Sequence, residues 1–271
     1  MIIDGKKIRD RIKISLKKEI AFIKRPIILS IISVSSNPIS SQFINLKEKF
    51  GKEIGVSVKV FNFPEKIKEK LLKEKIRKIS INSDGVIIQL PIPKNFSTDE
   101  ILNCIPIDKD IDVLSKKSNK IFASGRLKIL PPVVGAIKEV LVDSKISLEG
   151  KKIALVGRGR LVGGPLSSWL KYQKFNSTIF DKGDSLNLKN FDIIISGTGE
   201  PNLIKKEMIK DDTILIDVGT SELFGKTCGD IDPGCAKKSS LFTPVPGGVG
   251  PITIAMIFRN LLTCIKNKNN E

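Results

Sequence analysis

The sequence predicts an α/β protein of two α/β domains, the second a Rossmann-like dinucleotide-binding domain with a parallel sheet. Three observations carry this. Short β-rich runs alternate with amphipathic helical segments along the chain. A glycine-rich turn, Gly157-Arg158-Gly159-Arg160-Leu161-Val162-Gly163-Gly164-Pro165, joins a strand to a helix in the second half. At 271 residues the chain is long enough for two domains and a sizeable core.

In order, Ile8, Ile12, Leu16, Ile20 and Ile23 fall at three-and-four spacing and predict a helix over about 5–24. Ile27–Val34 reads as a buried strand, Phe43–Ile54 as a helix and Val56–Phe63 as a strand. A basic helix at 65–79 follows, then a strand from Gly85 to Leu90 that Pro91 and Pro93 stop, leaving Gln89 at its carboxyl end. Residues 115–131 read as a loop and an irregular crossing, and Val133–Lys145 as a connecting helix. The second series has strands at 153–157, 177–180, 192–196 and 214–219. After the loop Pro244–Pro251, the run ITIAMIFRNLLTCIK is a terminal amphipathic helix.

Composition removes several chemistries. With no histidine, Ser-His-Asp, Cys-His and His-metal sites are excluded, and acid–base work falls to Lys, Asp, Glu, Tyr or Cys. The four cysteines form no CxxC pair, so neither a zinc site nor a disulfide framework is expected, and no metal is assigned. The net charge of +17 suits nucleic acid or a small anionic substrate. The excess is mostly lysine, spread along the chain and interleaved with glutamate at helical spacing, as in KIKEKLLKEKIRK. With one Trp and one Tyr, no basic–aromatic stripe is formed, which argues against nucleic acid. The charged amino terminus lacks a signal-peptide pattern and no apolar run reaches the roughly 18 residues of a membrane span. A cytoplasmic enzyme is expected.

At the glycine-rich turn the backbone can approach a pyrophosphate, and the following helix offers free N–H donors. The spacing is GxGxxxG, one residue longer than the common fingerprint. Gly157, Arg158, Gly159 and Gly163 are the candidate cofactor contacts here, with Thr220 after the strand ILIDVG. Asp181 closes the second strand, where an acid accepts from ribose hydroxyls and disfavours a 2′-phosphate. Arg158, Arg160 and Lys182 are available to pair with such a phosphate, so NAD and NADP both remain open.

Several stretches occur together: Asn37-Pro38-Ile39-Ser40 before a helix bearing Lys47; Gln89-Leu90-Pro91-Ile92-Pro93; Lys109-Asp110-Ile111-Asp112; the GRGRLVGGP turn; Asp217-Val218-Gly219; Gly229-Asp230; and Thr243 to Pro251, TPVPGGVGP. With them the chain resembles the bifunctional methylenetetrahydrofolate dehydrogenase/methenyltetrahydrofolate cyclohydrolase family, from about residue 2 to the terminal helix. The resemblance implies a folate-binding catalytic domain from 1–130 plus 252–271 and a dinucleotide-binding domain at 131–251. It implies hydride transfer from methylenetetrahydrofolate to a nicotinamide dinucleotide, NADP with NAD as the alternative, then hydrolysis of the methenyl form. Lys47 matches the family's central catalytic lysine, Gln89 the glutamine beside it, and Asp112 the aspartate that holds the pterin edge. Phe43, Pro246, Gly247 and Gly248 match substrate contacts. The partners implied are tetrahydrofolate derivatives, with polyglutamate tails suited to the positive field, and a second copy in a homodimer.

The chain also departs from the family pattern. Phe43 stands where a tyrosine is usual, which points to weakened cyclohydrolase as the alternative reading. Val113 replaces the glycine after KDxD, Leu130-Pro131-Pro132-Val133 replaces a PCTP-like segment, and Gly159 replaces a serine that could donate to phosphate.

Overall fold

The computed structural model of the protein describes residues 1–34, 38–223 and 226–268. The chain forms two compact units, Met1–Asp10 with Val133–Thr253 and Arg11–Pro132 with Ile254–Glu271. Its helices and strands begin with α1 (Gly5–Ile20), β1 (Ile28–Val34), α2 (Pro38–Ile54), β2 (Ser57–Phe63), α3 (Glu69–Ile81) and β3 (Gly85–Ile88). Then come α4 (Thr98–Leu102), α5 (Lys116–Ala123), α6 (Pro132–Asp143), β4 (Ile153–Val156), α7 (Gly163–Tyr172), β5 (Ser177–Phe180), β6 (Ile193–Ser196) and β7 (Thr213–Asp217). The hairpin β8 (Ser221–Leu223) and β9 (Lys226–Cys228), strand β10 (Ser239–Thr243) and α8 (Val249–Lys268) complete the order.

In the unit that holds α2, a parallel sheet has the order β2-β1-β3. β1 and β3 are almost wholly buried, as the largely apolar strands of a parallel sheet are, with Ser30 and Ser33 buried among the apolar residues of β1. Ile32, Val34, Leu72, Ile76, Val86 and Ile88 make one core cluster there. Helix α8 supplies Phe258, which meets Phe50 of α2 with ring centroids 5.1 Å apart. Gly51 and Gly85 leave room for it: a Cβ on Gly85 would lie 2.8 Å from Leu261.

The other unit has a five-stranded parallel sheet, β10-β7-β6-β4-β5. β4, β6 and β7 are buried along their whole length. The reversal of strand order beside β4 opens a crevice at the carboxyl ends of the strands.

Two expectations need correction. Residues 116–123 form a capped helix rather than a loop, with Ser115 accepting from the Ser118 N–H. A fifth strand, β10, and the hairpin β8–β9 were not anticipated from the sequence. α8 is long and apolar enough to cross a membrane, yet 61% of its most apolar window is buried inside the protein, where Ile252, Ala255, Phe258, Leu261 and Ile265 serve as core.

Candidate active site

Helix α2 buries Ile44, Lys47, Phe50 and Ile54 along one stripe, and Phe43 sits half-buried one turn before Lys47. Of these, Lys47 is the anomaly: an ammonium only 7% exposed in an apolar row. Its Nζ donates to Gln89 Oε1 at 2.7 Å, and among the described residues it has no second hydrogen-bond acceptor. Gln89 is fixed in turn. Its N–H donates to Ile32 O, extending the β1–β3 pairing, and its Nε2 donates to Leu90 O at 2.8 Å. Burial pushes the Lys47 pKa below the ordinary lysine value, and the charge on Asp112 opposes that shift. Asp112 is shifted the other way, up to about 6, by burial first, with Lys47 opposing and Asp110 adding. Asn37 of the NPIS motif lies outside the described residues.

The KDID motif divides its labour. Lys109 Nζ caps the carboxyl end of α3 through Ser80 O and Ile81 O. Asp110, wholly buried, accepts from the Leu114 and Ser115 N–H groups at 3.3 and 3.0 Å. Asn260 of α8 donates to Ile111 O at 2.8 Å and to Leu130 O at 2.7 Å. Asp112 is thus held by its neighbours, while among the described residues its own carboxylate accepts no hydrogen bond. Val113, next along, is fully buried at φ 56°, a left-handed conformation costly for a β-branched residue. That is the physical reason for a glycine at this position in the family pattern.

In the other unit, a crevice of about 390 Å³ is lined by Gly157, Arg158, Gly159, Asp181, Gly197 and Thr198 among others. Gly157 has φ +98°, and a Cβ on Gly163 would lie 1.9 Å from Gly157 O, so helix α7 packs against the turn only because Gly163 has no side chain. Gly163 therefore shapes the crevice from beneath rather than lining it. Leu166 and Leu170 of α7 are wholly buried behind it. Asp181 Oδ2 lies 3.7 Å from Arg158 Nε, both side chains more than half exposed, a geometry worth little by itself. These features fit the pyrophosphate and ribose of a dinucleotide. Thr220 is exposed and outside the lining. Thr198 is a lining residue the sequence reading missed, though the Gly197-Thr198-Gly199 run at a strand end was a visible signal. A larger cavity of about 890 Å³ lies near the amino ends of β4 and β5, away from that turn.

The same unit contains Pro246, Gly247 and Gly248. Pro246 follows a cis peptide bond and is exposed, while Gly247 has φ +108° and Gly248 is buried. The loop closes through Gly248 N–H to Pro244 O at 2.7 Å and is tied to α1 by Gly5 N–H to Gly247 O at 2.9 Å.

Comparison with known proteins assigns both halves. Residues 3–112 match the tetrahydrofolate dehydrogenase/cyclohydrolase catalytic domain, and residues 131–269 match the NAD(P)-binding domain of the same family. The chain is 36% identical to the bifunctional protein FolD of Nautilia profundicola, covering 100% of this chain and 99% of that protein. It is 37% identical to the bifunctional protein FolD of Mycoplasmopsis synoviae, covering 98% and 99%. The crystal structure of the bifunctional dehydrogenase/cyclohydrolase of Campylobacter jejuni superposes with a TM-score of 0.94 at 32% identity, over 99% of both chains. The Trypanosoma brucei enzyme, solved with NADP cofactor and an inhibitor, gives 0.94 at 26% identity over 100% of this chain and 99% of that one. The chain belongs to the tetrahydrofolate dehydrogenase/cyclohydrolase family.

Proposed function

We propose that Lys47, Gln89 and Asp112 are the working set of an enzyme that oxidises 5,10-methylenetetrahydrofolate to the methenyl form and hydrolyses that to 10-formyltetrahydrofolate. The observation that carries the assignment is the buried Lys47–Gln89 hydrogen bond, coupled in charge to the Asp112 carboxylate, which accepts no hydrogen bond among the described residues. Asp112 accepts paired N–H bonds from the pterin's amino-pyrimidinone edge, which fixes orientation as well as affinity. Phe43 offers an apolar face one turn from Lys47 for the ring system. Lys47, with its pKa lowered by burial, takes a proton from the water that adds to the methenyl carbon, and Gln89 Oε1 holds Nζ in place.

The bound dinucleotide supplies the hydride acceptor. Gly157, Arg158, Gly159 and Asp181 are proposed as its contacts, with Gly163 as packing support and Thr220, after the strand ending in Gly219, as a further contact. NADP is assigned on the similarity to the NADP-bound relative. The carboxylate of Asp181 motivates NAD as the alternative, which parallel assays with each dinucleotide decide. Pro246, Gly247 and Gly248 are proposed as substrate contacts on the family pattern. The folate-binding assignment covers 1–130 plus 252–271, and the dinucleotide assignment covers 131–251. Polyglutamylated folates, a homodimer and a cytoplasmic location complete the proposal, the first supported by the net charge of +17.

The test is Lys47→Met, which keeps the stem and removes the amine. Hydrolysis of methenyltetrahydrofolate falls by roughly a hundredfold or more, as for loss of a general base, while dinucleotide binding stays unchanged. Near-native hydrolysis by a folded variant would overturn the role given to Lys47.

A further inference from the structure

Two motifs of the dinucleotide unit, Asp217-Val218-Gly219 and Gly229-Asp230, have no part in the chemistry above, yet they place two carboxylates in the interior. Asp217 is 1% exposed and Asp230 is wholly buried. Each fills the space that the other motif's glycine leaves empty. A Cβ on Gly219 would lie 1.9 Å from Asp230 Oδ1, and one on Gly229 would lie 2.1 Å from Asp217 Oδ2. Both carboxylates are saturated with donors. Asp230 accepts from Ser196 Oγ at 2.7 Å, the Thr198 N–H at 2.6 Å and the Gly199 N–H at 2.9 Å. Asp217 accepts from the N–H groups of Gly219, Asp230 and Ile231 at 3.0, 3.2 and 2.8 Å. Its own N–H donates to Thr243 Oγ1 at 2.7 Å, at the carboxyl end of β10.

The bonds therefore run in one direction across the carboxyl ends of three strands. The loop after β6 hangs on Asp230, the segment carrying Asp230 hangs on Asp217, and Asp217 is anchored to β10 just before the Pro244–Gly250 loop. Gly197 and Thr198, at the near end, line the dinucleotide crevice. Leu203, between the Asn202 and Ile204 N–H groups that donate to Gly229 O and Asp230 O, lines it as well. Core packing would not call for two carboxyl groups here, since burying such polar groups is costly without compensation. Asp230 holds the Thr198 and Gly199 backbone beside the crevice, and Asp217 holds the segment that carries Asp230, so both bear on the geometry offered to a bound cofactor. Burial and the neighbouring Asp230 push Asp217 up to about 7, against the pull of its backbone donors.

We infer that Asp217 and Asp230 are a positioning pair for the dinucleotide, locking the 197–199 segment in the shape that receives it. The inference rests on the dinucleotide-binding reading of that crevice. Asp230→Asn is the informative variant, because an amide of the same size must turn its NH₂ toward at least one N–H donor. Binding of NADP and of NAD is measured by calorimetry, beside the KM for the dinucleotide and the methenyltetrahydrofolate hydrolysis rate. The expected result is a dinucleotide Kd and KM raised about tenfold or more with hydrolysis kept within about twofold, and Asp217→Asn changes them in the same direction by less. Ser196→Ala removes one donor and keeps both backbone bonds, so it raises the Kd about two- to threefold, and it serves if Asp230→Asn does not fold. Unchanged dinucleotide affinity in folded Asp230→Asn, or in Ser196→Ala where Asp230→Asn is lost, overturns the inference. So does a parallel loss of both activities with the unfolding temperature. Failure of the wild-type chain to bind either dinucleotide would instead sink the underlying reading of the crevice.

Discussion

Asp112 shows how much of a site's behaviour follows from one side chain's surroundings. Its pKa of about 6 leaves it partly protonated in mildly acidic solution, and only the ionised form accepts both N–H bonds from a pterin edge. Folate affinity should therefore rise with pH through about 6 and level off above about 7, where the carboxylate is ionised. Asp112→Ala should flatten that profile and cost about 1.5–3 kcal/mol of folate binding. A titration of folate Kd against pH in both proteins decides this, and a wild-type profile without an inflection would separate Asp112 from the pterin. Phe43 carries a second prediction at this scale. It shares a helix face with Lys47, so Phe43→Tyr adds a hydroxyl within the same neighbourhood at little change in stacking area. The hydrolysis rate should rise more than the dehydrogenase rate, since the added group can hold water or the lysine but does nothing for ring alignment. Equal changes in the two rates, measured on one preparation, would show that the missing hydroxyl is neutral.

The glycine turn between β4 and α7 makes a contrast that belongs to an element rather than a residue. Gly163→Ala puts a methyl 1.9 Å from a backbone oxygen, so the turn or the helix must move, at a cost of about 3 kcal/mol or more. Gly159 has open space, since a Cβ there would meet nothing nearer than Gly197 O at 4.0 Å. Gly159→Ser should fold normally and tighten the dinucleotide severalfold by adding a phosphate donor, within the roughly 0.5–1.5 kcal/mol of a hydrogen bond. Thermal unfolding and calorimetric binding of the two variants check both halves. This turn was legible in the sequence because glycine spacing encodes backbone approach directly. β1, β3, β4, β6 and β7 were legible as apolar runs, buried along nearly their whole length. β10 was not, because SSLFT is half polar and gains its character only beside β7. α5 was hidden for a related reason: KKSNKIFA buries only Ser118 and Phe122. In the site, Lys47 and Gln89 were visible only through family pattern, since one lysine among many carries no local signal. Asn260 had no signal, because nothing in an apolar helix says which carbonyls a polar residue will face.

For the whole molecule, the two carboxyl groups with raised pKa values set a pH dependence of stability. Asp217 and Asp112 have folded pKa values of about 7 and 6, above the ordinary 3.8, so the folded state holds their protons more tightly. The stability this contributes is complete below about pH 4 and is lost as pH rises from there through 6 to 7. Lys47 acts in the opposite sense and higher up, gaining stability as pH climbs from its lowered pKa toward 10.5. Asp217 alone should account for about 2 kcal/mol lost between pH 5 and 7, using about 1.4 kcal/mol per pKa unit. Denaturant unfolding across that range should show the decline, and Asp217→Asn should make it shallower; a wild type equally stable at both ends would contradict the assignment. A different consequence follows from where α8 goes. Phe258, Asn260 and Leu261 complete the unit that begins at Arg11, yet the ribosome makes them after the whole 133–253 stretch. The first unit to be mostly synthesised is thus the last to be finished, and its apolar groove stands open while its neighbour's sheet is being made. Nascent chains halted near residue 250 should consequently be captured by chaperones through the earlier unit, although most of that unit has long since left the tunnel.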